Sequence, residues 1–251
     1  MKVFGLIGKK LDHSFSPQYF RQKFKNEDLR DIYYHLYPLH HINEFNLLIK
    51  NNSDISGLNV TIPYKSEIMP FLDEITPAAQ KIGAVNTIKF NRINQSIKLI
   101  GYNTDYLGFM ESLKPLLQDC HKNALVLGSG GSSKAIAYGL DMLNIKFKVV
   151  SRNPQGSDQI SYQSITKDLI KAHPLIINTT PVGMFPHISQ KPDIPYEELT
   201  EKHLLYDLIY NPEKTKFLQQ GEKMGCKIKN GFEMLKIQAD YAWKIWNDIK
   251  F

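Results

Sequence analysis

The chain has 251 residues, enough for two domains of about 100–150 residues that each have a core. Hydrophobic residues at 42% and charged residues at 22% are ordinary for a globular protein and exclude a disordered or low-complexity chain. The formal net charge of +6 comes from scattered lysines and arginines without a basic tract. We therefore predict no nucleic-acid partner, and favour a small anionic substrate or cofactor.

Cysteine usage and hydropathy indicate in which cellular compartment the protein is expected. Cys120 and Cys226 belong to no CxxC or Cys/His ligand pattern, so we predict reduced thiols and no metal site. The apolar run at the N-terminus is too short for a signal peptide, and no run approaches the ~20 residues that span a bilayer. The expectation is a soluble, cytoplasmic protein with no membrane partner.

In the first half, short β-rich runs alternate with helical segments, a pattern typical of α/β domains. The run "KVFGLIG" predicts a strand, and a helix should begin near Ser16-Pro17, where serine can cap and proline suits the first position. A strand "DIYYHLYPL", a helix "INEFNLLIKN", a strand "GLNVTIP" and helical segments up to Gly83 follow. Next, "AVNTIKF" and "SIKLIGYN", joined by the polar "NRINQ", predict an antiparallel hairpin.

The second half begins with a helix in "TDYLGFMESLKPLL" and then repeats strand and helix. Predicted strands are "NALVLG", "KFKVVS", "LIINTT", "LLYDLIY" and "CKIKNG", and predicted helices are "SSKAIAYGLDMLN", "ITKDLIKA" and "TKFLQQGEKMG". The last segment, 232–251, is an amphipathic helix whose apolar stripe comprises Leu235, Gln238, Ala242, Ile245 and Ile249. Gln238 is a polar residue on that stripe, so it needs a hydrogen-bond partner, which is either a neighbour or a ligand.

A glycine-rich turn is the most informative local motif. In "ALVLGSGGSSKAIAYGL" a strand runs into Gly128-Ser129-Gly130-Gly131-Ser132, and a helix begins at once. Glycines let the backbone approach a pyrophosphate, and the helix N-terminus offers free N–H groups. The third small position of G-x-G-x-x-G/A is Ser133, so the match is incomplete, and a turn that only connects strand and helix remains the alternative. The surrounding strand–helix–strand unit favours a dinucleotide site.

The end of the next strand indicates which dinucleotide binds. Proteins that bind NAD usually carry Asp or Glu there, whereas this chain reads Ser151, Arg152, Asn153. An arginine binds a 2′-phosphate that an acid would repel. We therefore predict NADP(H) as the cofactor. An ordinary surface arginine after a strand is the alternative for Arg152 taken alone.

These patterns predict an α/β protein of two domains with a cleft between them. Residues 1–104 would form an N-terminal α/β domain, which the family resemblance given below implies to be the substrate domain, and residues 105–231 a Rossmann-like, doubly wound dinucleotide-binding domain. The terminal helix, 232–251, is expected to pack back on the first domain.

With these pieces assembled, the sequence resembles the shikimate dehydrogenase family over essentially its whole length. The resemblance rests on eight motifs in order: "HSFSP", "NVTIPYK", "GAVNT", "GYNTDYLG", "GSGGSSKA", "NTTPVGM", "YDLIYNPEKTKFL" and "NGFEMLKIQA". It implies reversible, NADP-dependent reduction of 3-dehydroshikimate to shikimate in aromatic amino-acid (chorismate) biosynthesis. It implies a small-molecule substrate. The expected oligomeric state is a monomer or a homodimer.

The resemblance also implies roles for individual residues. Residues matching the family's substrate contacts are Ser14, Ser16, Thr61, Asn86, Tyr210 and Gln238. Residues matching its cofactor contacts are Gly128, Ser129, Gly130, Gly131, Ser132, Ser151, Arg152, Asn153, Leu208 and Gly231. The catalytic pair would be Lys65 and Asp105. Hydride transfer to a ketone builds negative charge on its oxygen, so a proton donor such as Lys65, oriented by a carboxylate, must stand beside it. The nicotinamide supplies the hydride itself.

Other readings stay open beside this one. Lys65 could be a solvated lysine, the two serines could only cap a helix, and Asp105 could only be an N-cap. Lys10 stands where family members often have proline, and "NPQGSD" supplies no second basic residue after Arg152. Quinate/shikimate dehydrogenase with relaxed use of NAD and NADP is therefore the nearest alternative function. A non-catalytic metabolite sensor is the next, and a tetrahydrofolate dehydrogenase fits the substrate motifs poorly.

Overall fold

The structure is a computed structural model that describes residues 1–12, 14–93, 96–156 and 158–250. It divides into two compact units, Met1–Thr104 with Gln238–Phe251, and Asp105–Ile237. The strands are β1 (Lys2–Gly8), β2 (Ile32–Pro38), β3 (Ile55–Val60), β4 (Glu74–Ile75), β5 (Thr87–Ile93), β6 (Ser96–Tyr102), β7 (Asn123–Leu127), β8 (Lys146–Ser151), β9 (Gln159–Ser161), β10 (Leu175–Asn178), β11 (Leu204–Asp207) and β12 (Lys227–Lys229). The α-helices are α1 (Ser16–Asn26), α2 (Phe45–Asn51), α3 (Pro77–Ile82), α4 (Asp105–Leu113), α5 (Gly131–Met142), α6 (Lys167–Ala172), α7 (Lys216–Lys223) and α8 (Phe232–Trp246).

The first unit is built on a mixed six-stranded sheet in the order β2-β1-β3-β5-β6-β4. Strand β1 is parallel to β2 and β3, whereas β5 is antiparallel to β3 and to β6. The predicted hairpin is therefore present as β5 and β6; its residues 94 and 95 lie outside the described part of the chain. Apolar side chains of β1, β3 and β5 form the core, for example Ile7, Leu58 and Ile88.

An aromatic cluster attaches the last turns of α8 to this sheet. Phe4 of β1 stacks on Trp246 with ring centroids 4.7 Å apart, and Trp243 meets Phe4 edge-on. The Trp246 Nε1 donates to the Ile88 carbonyl at 3.0 Å. A side chain at Gly57 would collide with the Trp246 ring, at 2.3 Å from its Cδ1, so this position of β3 requires glycine.

The second unit contains a fully parallel sheet in the order β12-β11-β10-β7-β8-β9. Strands β7, β10 and β11 are almost wholly apolar and buried, as expected for strands covered on both faces. Ligands of such sheets bind outside the carboxyl ends of the strands. The predicted fold class, α/β with a Rossmann-like domain, is confirmed.

Several predicted element ends differ from the structure. Strand β3 ends at Val60, and residues 62–68 form turns that include a cis Ile62–Pro63 bond, so Lys65 lies beyond the strand rather than at its tip. The segment before Gly83, predicted as helical, contains the two-residue strand β4. Helix α8 ends at Trp246, and Ile249, predicted on its buried stripe, is 47% exposed. Apolar periodicity does not mark where a helix stops, because end effects depend on caps and packing.

The chemistry of local sequence explains other ends. Helix α3 starts with Pro77 and stops at Gly83, whose φ of 68° closes the helix in the left-handed region. Thr166 and Thr215 cap α6 and α7 with their hydroxyl oxygens. Within the described ranges, no helix combines the length and the apolar character that crossing a membrane requires.

Candidate active site

The serine loop precedes α1 in the first unit. Ser16 is the first residue of α1 and Phe15 is its N-cap, so neither serine is the N-cap residue. The Ser16 N–H donates to Ser14 Oγ at 3.3 Å, which orders the loop, and both serines are half-buried. His13 of the same motif lies outside the described residues.

The segment after β3 places Thr61 and Lys65 by backbone hydrogen bonds. The Thr61 N–H donates to the Ile7 carbonyl at 2.9 Å, and the Lys65 carbonyl accepts from the Val85 N–H at 2.7 Å. The Thr61 methyl fits tightly over Gly8, where any added Cβ would lie 2.5 Å from it. Both predicted site residues are half-buried, and these backbone hydrogen bonds position the segment that carries them.

Asn86 is the centre of a buried polar network in the first unit. Its Nδ2 donates to Thr104 Oγ1 at 3.0 Å and to Gln238 Oε1 at 3.3 Å. Its Oδ1 accepts from the Thr104 N–H at 2.7 Å. The structure thus brings together two predicted substrate residues that are 152 positions apart in sequence. The hydrogen-bond partner predicted for Gln238 on its apolar stripe is therefore present.

Sequence reasoning missed three members of this network. Asn59 Nδ2 donates to the Asn86 carbonyl at 3.3 Å and to Thr87 Oγ1 at 3.2 Å. Thr87 and Thr104 are both fully buried. The signal available in the sequence was a run of polar residues at the ends of β3 and β5 and after β6, where a buried polar side chain must find a partner.

The glycine-rich turn in the second unit leaves open space in which a ligand could approach the protein backbone. Gly128 has a φ of 110°, and a Cβ there would lie 2.7 Å from Thr179 Oγ1, so only glycine is accommodated. Gly130 is the N-cap of the twelve-residue helix α5, and a Cβ added to it would meet nothing within 4 Å. Ser133 is buried, as a small third position requires. Open space at a helix N-terminus, where backbone N–H groups are free, fits the pyrophosphate of a dinucleotide.

Strand β8 ends next to this turn. Ser129 Oγ and Ser151 Oγ are 3.2 Å apart, and the Asn153 N–H donates to Ser151 Oγ at 3.3 Å. Arg152 is exposed; burial raises the pKa of the neighbouring Tyr162, and the charge of Arg152 opposes that rise. The two parts of the predicted cofactor site are thus adjacent, and binding of a 2′-phosphate by Arg152 stays a prediction.

Asp207, which the sequence analysis did not single out, organises the loop that carries Leu208 and Tyr210. Its side chain is fully buried at the end of β11 and accepts from Thr215 Oγ1 at 2.6 Å and from the Ile209 N–H at 3.0 Å. Asn178 Nδ2 donates to the same carboxylate at 3.0 Å. Burial raises the pKa of Asp207 to about 7, and the three hydrogen bonds oppose the rise.

The backbone of Leu208 is held from a second side. A Cβ on Gly231 would lie 2.1 Å from the Leu208 carbonyl oxygen, and the Gly231 N–H donates to the Ile209 carbonyl at 3.1 Å. Two residues predicted to contact the cofactor are therefore in contact with each other. Gly231 is required for close approach of the backbones, since any side chain would displace the loop.

Asp105 and Tyr210 belong to the second unit, whereas Lys65 belongs to the first. Asp105 is the first residue of α4 and is buried. Pairing of Lys65 with Asp105 stays a prediction. The described residues include no group of three or more His, Cys, Asp or Glu that could hold a metal ion.

Comparisons with known proteins bear on what this arrangement does. Residues 6–88 match the family model described as shikimate dehydrogenase substrate binding domain. The chain is 38% identical to the shikimate dehydrogenase (NADP(+)) of Caldicellulosiruptor saccharolyticus over 99% of its own length and 93% of that protein. This chain belongs to the shikimate dehydrogenase family.

Solved structures of that family and of a related enzyme have the same fold. The shikimate 5-dehydrogenase of Thermus thermophilus, in complex with NADP(H) and shikimate, is similar with a TM-score of 0.86 and 29% identity, covering 99% of this chain and 94% of that one. A quinate dehydrogenase from Corynebacterium glutamicum, in complex with NAD, has a TM-score of 0.86 and 25% identity, covering 98% and 94%. The shikimate dehydrogenase resemblance predicted from the motifs is confirmed.

Proposed function

We propose that this protein is an NADP-dependent shikimate dehydrogenase that reversibly reduces 3-dehydroshikimate to shikimate. The observation that carries the proposal is the 38% identity over 99% of the chain with a shikimate dehydrogenase (NADP(+)). The cofactor, when bound, supplies or accepts the hydride. The chain supplies binding, orientation and the proton.

In the first unit, Ser14, Ser16 and Thr61 hold the substrate, with the serine hydroxyls donating to its carboxylate. Asn86 and Gln238 offer amide groups to its hydroxyls from a network that is already ordered. Because these amides are fixed by Thr104, they bind the substrate with little loss of side-chain freedom. This preorganisation favours one orientation of the ring.

Lys65 is the proton donor to the carbonyl oxygen as negative charge develops there, and it takes the proton back in the reverse direction. Asp105 orients Lys65 and accepts a hydrogen bond from the substrate hydroxyl, and Tyr210 reaches the substrate. In the second unit, the turn from Gly128 to Ser132 holds the pyrophosphate, residues 151–153 hold the 2′-phosphate end, and Leu208 and Gly231 shape the nicotinamide end. These roles rest on the family motifs that the chain retains.

A second candidate is quinate/shikimate dehydrogenase with relaxed cofactor use. It is favoured by the likeness to a quinate dehydrogenase in complex with NAD and by the lack of a second basic residue in "NPQGSD". A metabolite sensor would have no need of Lys65. A cytoplasmic location and a monomeric or homodimeric state complete the proposal; light scattering in solution tests the latter.

The test is the near-ultraviolet absorbance of reduced nicotinamide in four reactions, shikimate or quinate, each with NADP⁺ or NAD⁺. We expect rapid reduction with shikimate and NADP⁺. Strong reduction of NAD⁺, or turnover of quinate, moves the protein to the second candidate, and no turnover by folded protein favours the sensor.

Lys65→Ala tests the catalytic assignment. We expect kcat to fall by roughly 10²–10⁴-fold, the usual range for loss of a general acid, with circular dichroism unchanged. Lys50→Ala, an exposed lysine of α2, is the matched control and should keep the wild-type rate. A Lys65→Ala variant as active as the wild type rules out the proton-donor role.

A further inference from the structure

A chain of hydrogen bonds leads from β2 to Asn86 and starts at Tyr34, a residue outside the eight motifs. The Tyr34 hydroxyl, on β2, donates to Asn59 Oδ1 at 2.9 Å. Asn59 in turn donates to the Asn86 carbonyl at 3.3 Å and to Thr87 Oγ1 at 3.2 Å. Tyr34 is thus two hydrogen bonds away from Asn86.

The ring of Tyr34 is fixed by packing. It stacks on Phe20 of α1 with centroids 4.4 Å apart and an interplanar angle of 15°, and Phe20 itself is fully buried. Burial raises the pKa of Tyr34 well above its ordinary value, while a hydrogen bond from the neighbouring Ser16 side chain opposes the rise. The raised pKa keeps the phenol protonated at neutral pH, so its hydroxyl is a hydrogen-bond donor.

Asn59 depends on that donor. Asn59 is 6% exposed. Its amide oxygen accepts from the Tyr34 hydroxyl, and its amide nitrogen donates to the Asn86 carbonyl. Loss of the hydroxyl would leave Asn59 Oδ1 a buried acceptor without this donor, which favours rotation of the amide. Rotation would in turn remove its contacts with the Asn86 carbonyl and Thr87.

We propose that Tyr34 is a positioning residue for the substrate, holding Asn59 and, through it, Asn86 in place relative to helix α1, on which its ring packs. This inference rests on the proposed function, because it concerns how the same site binds shikimate. Tyr34 thus connects α1, which begins at Ser16, with the amide of Asn86 that would hold a substrate hydroxyl.

Tyr34→Phe tests this, because it removes the hydroxyl and keeps the ring that stacks on Phe20. We expect KM for shikimate to rise about tenfold, the effect of one lost hydrogen bond, and KM for NADP⁺ and kcat to stay within about threefold of wild type. Tyr33→Phe is the matched control: Tyr33 is adjacent on β2 and 46% exposed, and its variant should behave as wild type.

A second pair of variants tests the other end of the chain. Thr87→Val removes the oxygen that accepts from Asn59 and should raise KM for shikimate selectively, whereas Thr87→Ser should restore it. Because Thr87 Oγ1 also donates to Asn86 Oδ1 at 3.2 Å, this pair tests whether the position of Asn86 governs KM for shikimate. An unchanged KM for shikimate in Tyr34→Phe overturns the inference, and so does an unchanged KM in Thr87→Val.

Equal increases in both KM values would show a general structural role and would also overturn it. The wild-type rate separates this result from failure of the proposed function. A wild type without turnover of shikimate overturns both, whereas an active wild type with unaffected variants overturns only the role of Tyr34.

Discussion

At the scale of single residues, burial decides what a polar group does. Asp207 and Asn86 are both almost inaccessible, yet Asn86 is neutral and costs little to bury once its amide is paired. Asp207 carries a carboxyl group that three donors do not fully compensate, since burial still raises its pKa to about 7. The neutral residue is suited to permanent substrate recognition, and the acid makes the stability of its loop depend on pH.

Asp207→Asn should therefore change how stability depends on pH. Between the unfolded pKa near 3.8 and the folded pKa of about 7, the folded state holds one more proton than the unfolded state. This group thus stabilises the fold fully below the lower pKa, and that contribution is lost as pH rises, by up to about 1.4 kcal/mol per pH unit. Asparagine does not titrate, so the free energy of unfolding of the variant should rise relative to that of the wild type from about pH 5 to pH 7.

Urea unfolding at a series of pH values from about 5 to 8 measures this difference. Asp141→Asn, which removes an exposed carboxylate at the end of α5, is the control for loss of a charge. Wild type and Asp207→Asn curves that run parallel across this pH range would contradict the prediction.

At the scale of elements, helix α8 both packs on the sheet of the first unit and carries a residue of the candidate site. Its Trp243 and Trp246 bury their rings against Phe4, and Gln238 on the same helix reaches Asn86. Asp240 adds a polar anchor, accepting from the Tyr19 hydroxyl of α1 at 2.6 Å. Both Trp rings are buried in the aromatic cluster, so docking of the helix, and with it the place of Gln238, should depend strongly on them.

Trp246→Ala should destabilise the fold by about 3–5 kcal/mol, the cost typical of removing a large buried ring. The loss includes the Nε1 hydrogen bond to the Ile88 carbonyl and the cavity left over Gly57. Chemical denaturation followed by circular dichroism measures it. Ile249→Ala, beyond the end of α8 and exposed, is the control and should cost less than about 0.5 kcal/mol. Equal costs for the two variants would mean that the helix is held elsewhere.

At the scale of the whole molecule, the net charge matters more for binding of anionic ligands than any single surface ion pair does. The net charge of +6 is spread over both halves of the chain, and surface ion pairs such as Lys214–Glu222 contribute little to stability. A positive field of this kind raises the local concentration of anionic ligands. Both proposed ligands are anions, and the cofactor carries several more charges than the substrate.

Binding of NADP⁺ should therefore weaken as ionic strength rises. We expect KM for NADP⁺ to increase severalfold between about 0.01 and 0.5 M salt, where the Debye length falls from about 30 Å to a few ångströms, with a smaller increase for shikimate. Initial rates at fixed pH measure both constants. A KM for NADP⁺ that stays constant over this range would show that charge plays no part in its binding.

The sequence alone determined the family, the α/β class, most strands and helices in order, and the glycine-rich turn. These depend on local chemistry: alternation of apolar residues, proline and glycine at helix ends, and motifs of a few adjacent residues. It left the ends of β3 and α8 wrong by several residues, because packing, which periodicity does not encode, decides where an element stops.

Only the tertiary structure decided which polar residues meet. The contacts of Asn86 with Gln238 and of Tyr34 with Asn59 join segments far apart in the chain. Nothing in the sequence around Asp207 indicates that its side chain is fully buried. Such pairs form where buried polar groups must satisfy one another once the apolar faces have packed. No single stretch of sequence contains that requirement, since it arises from several strands and helices meeting at one place.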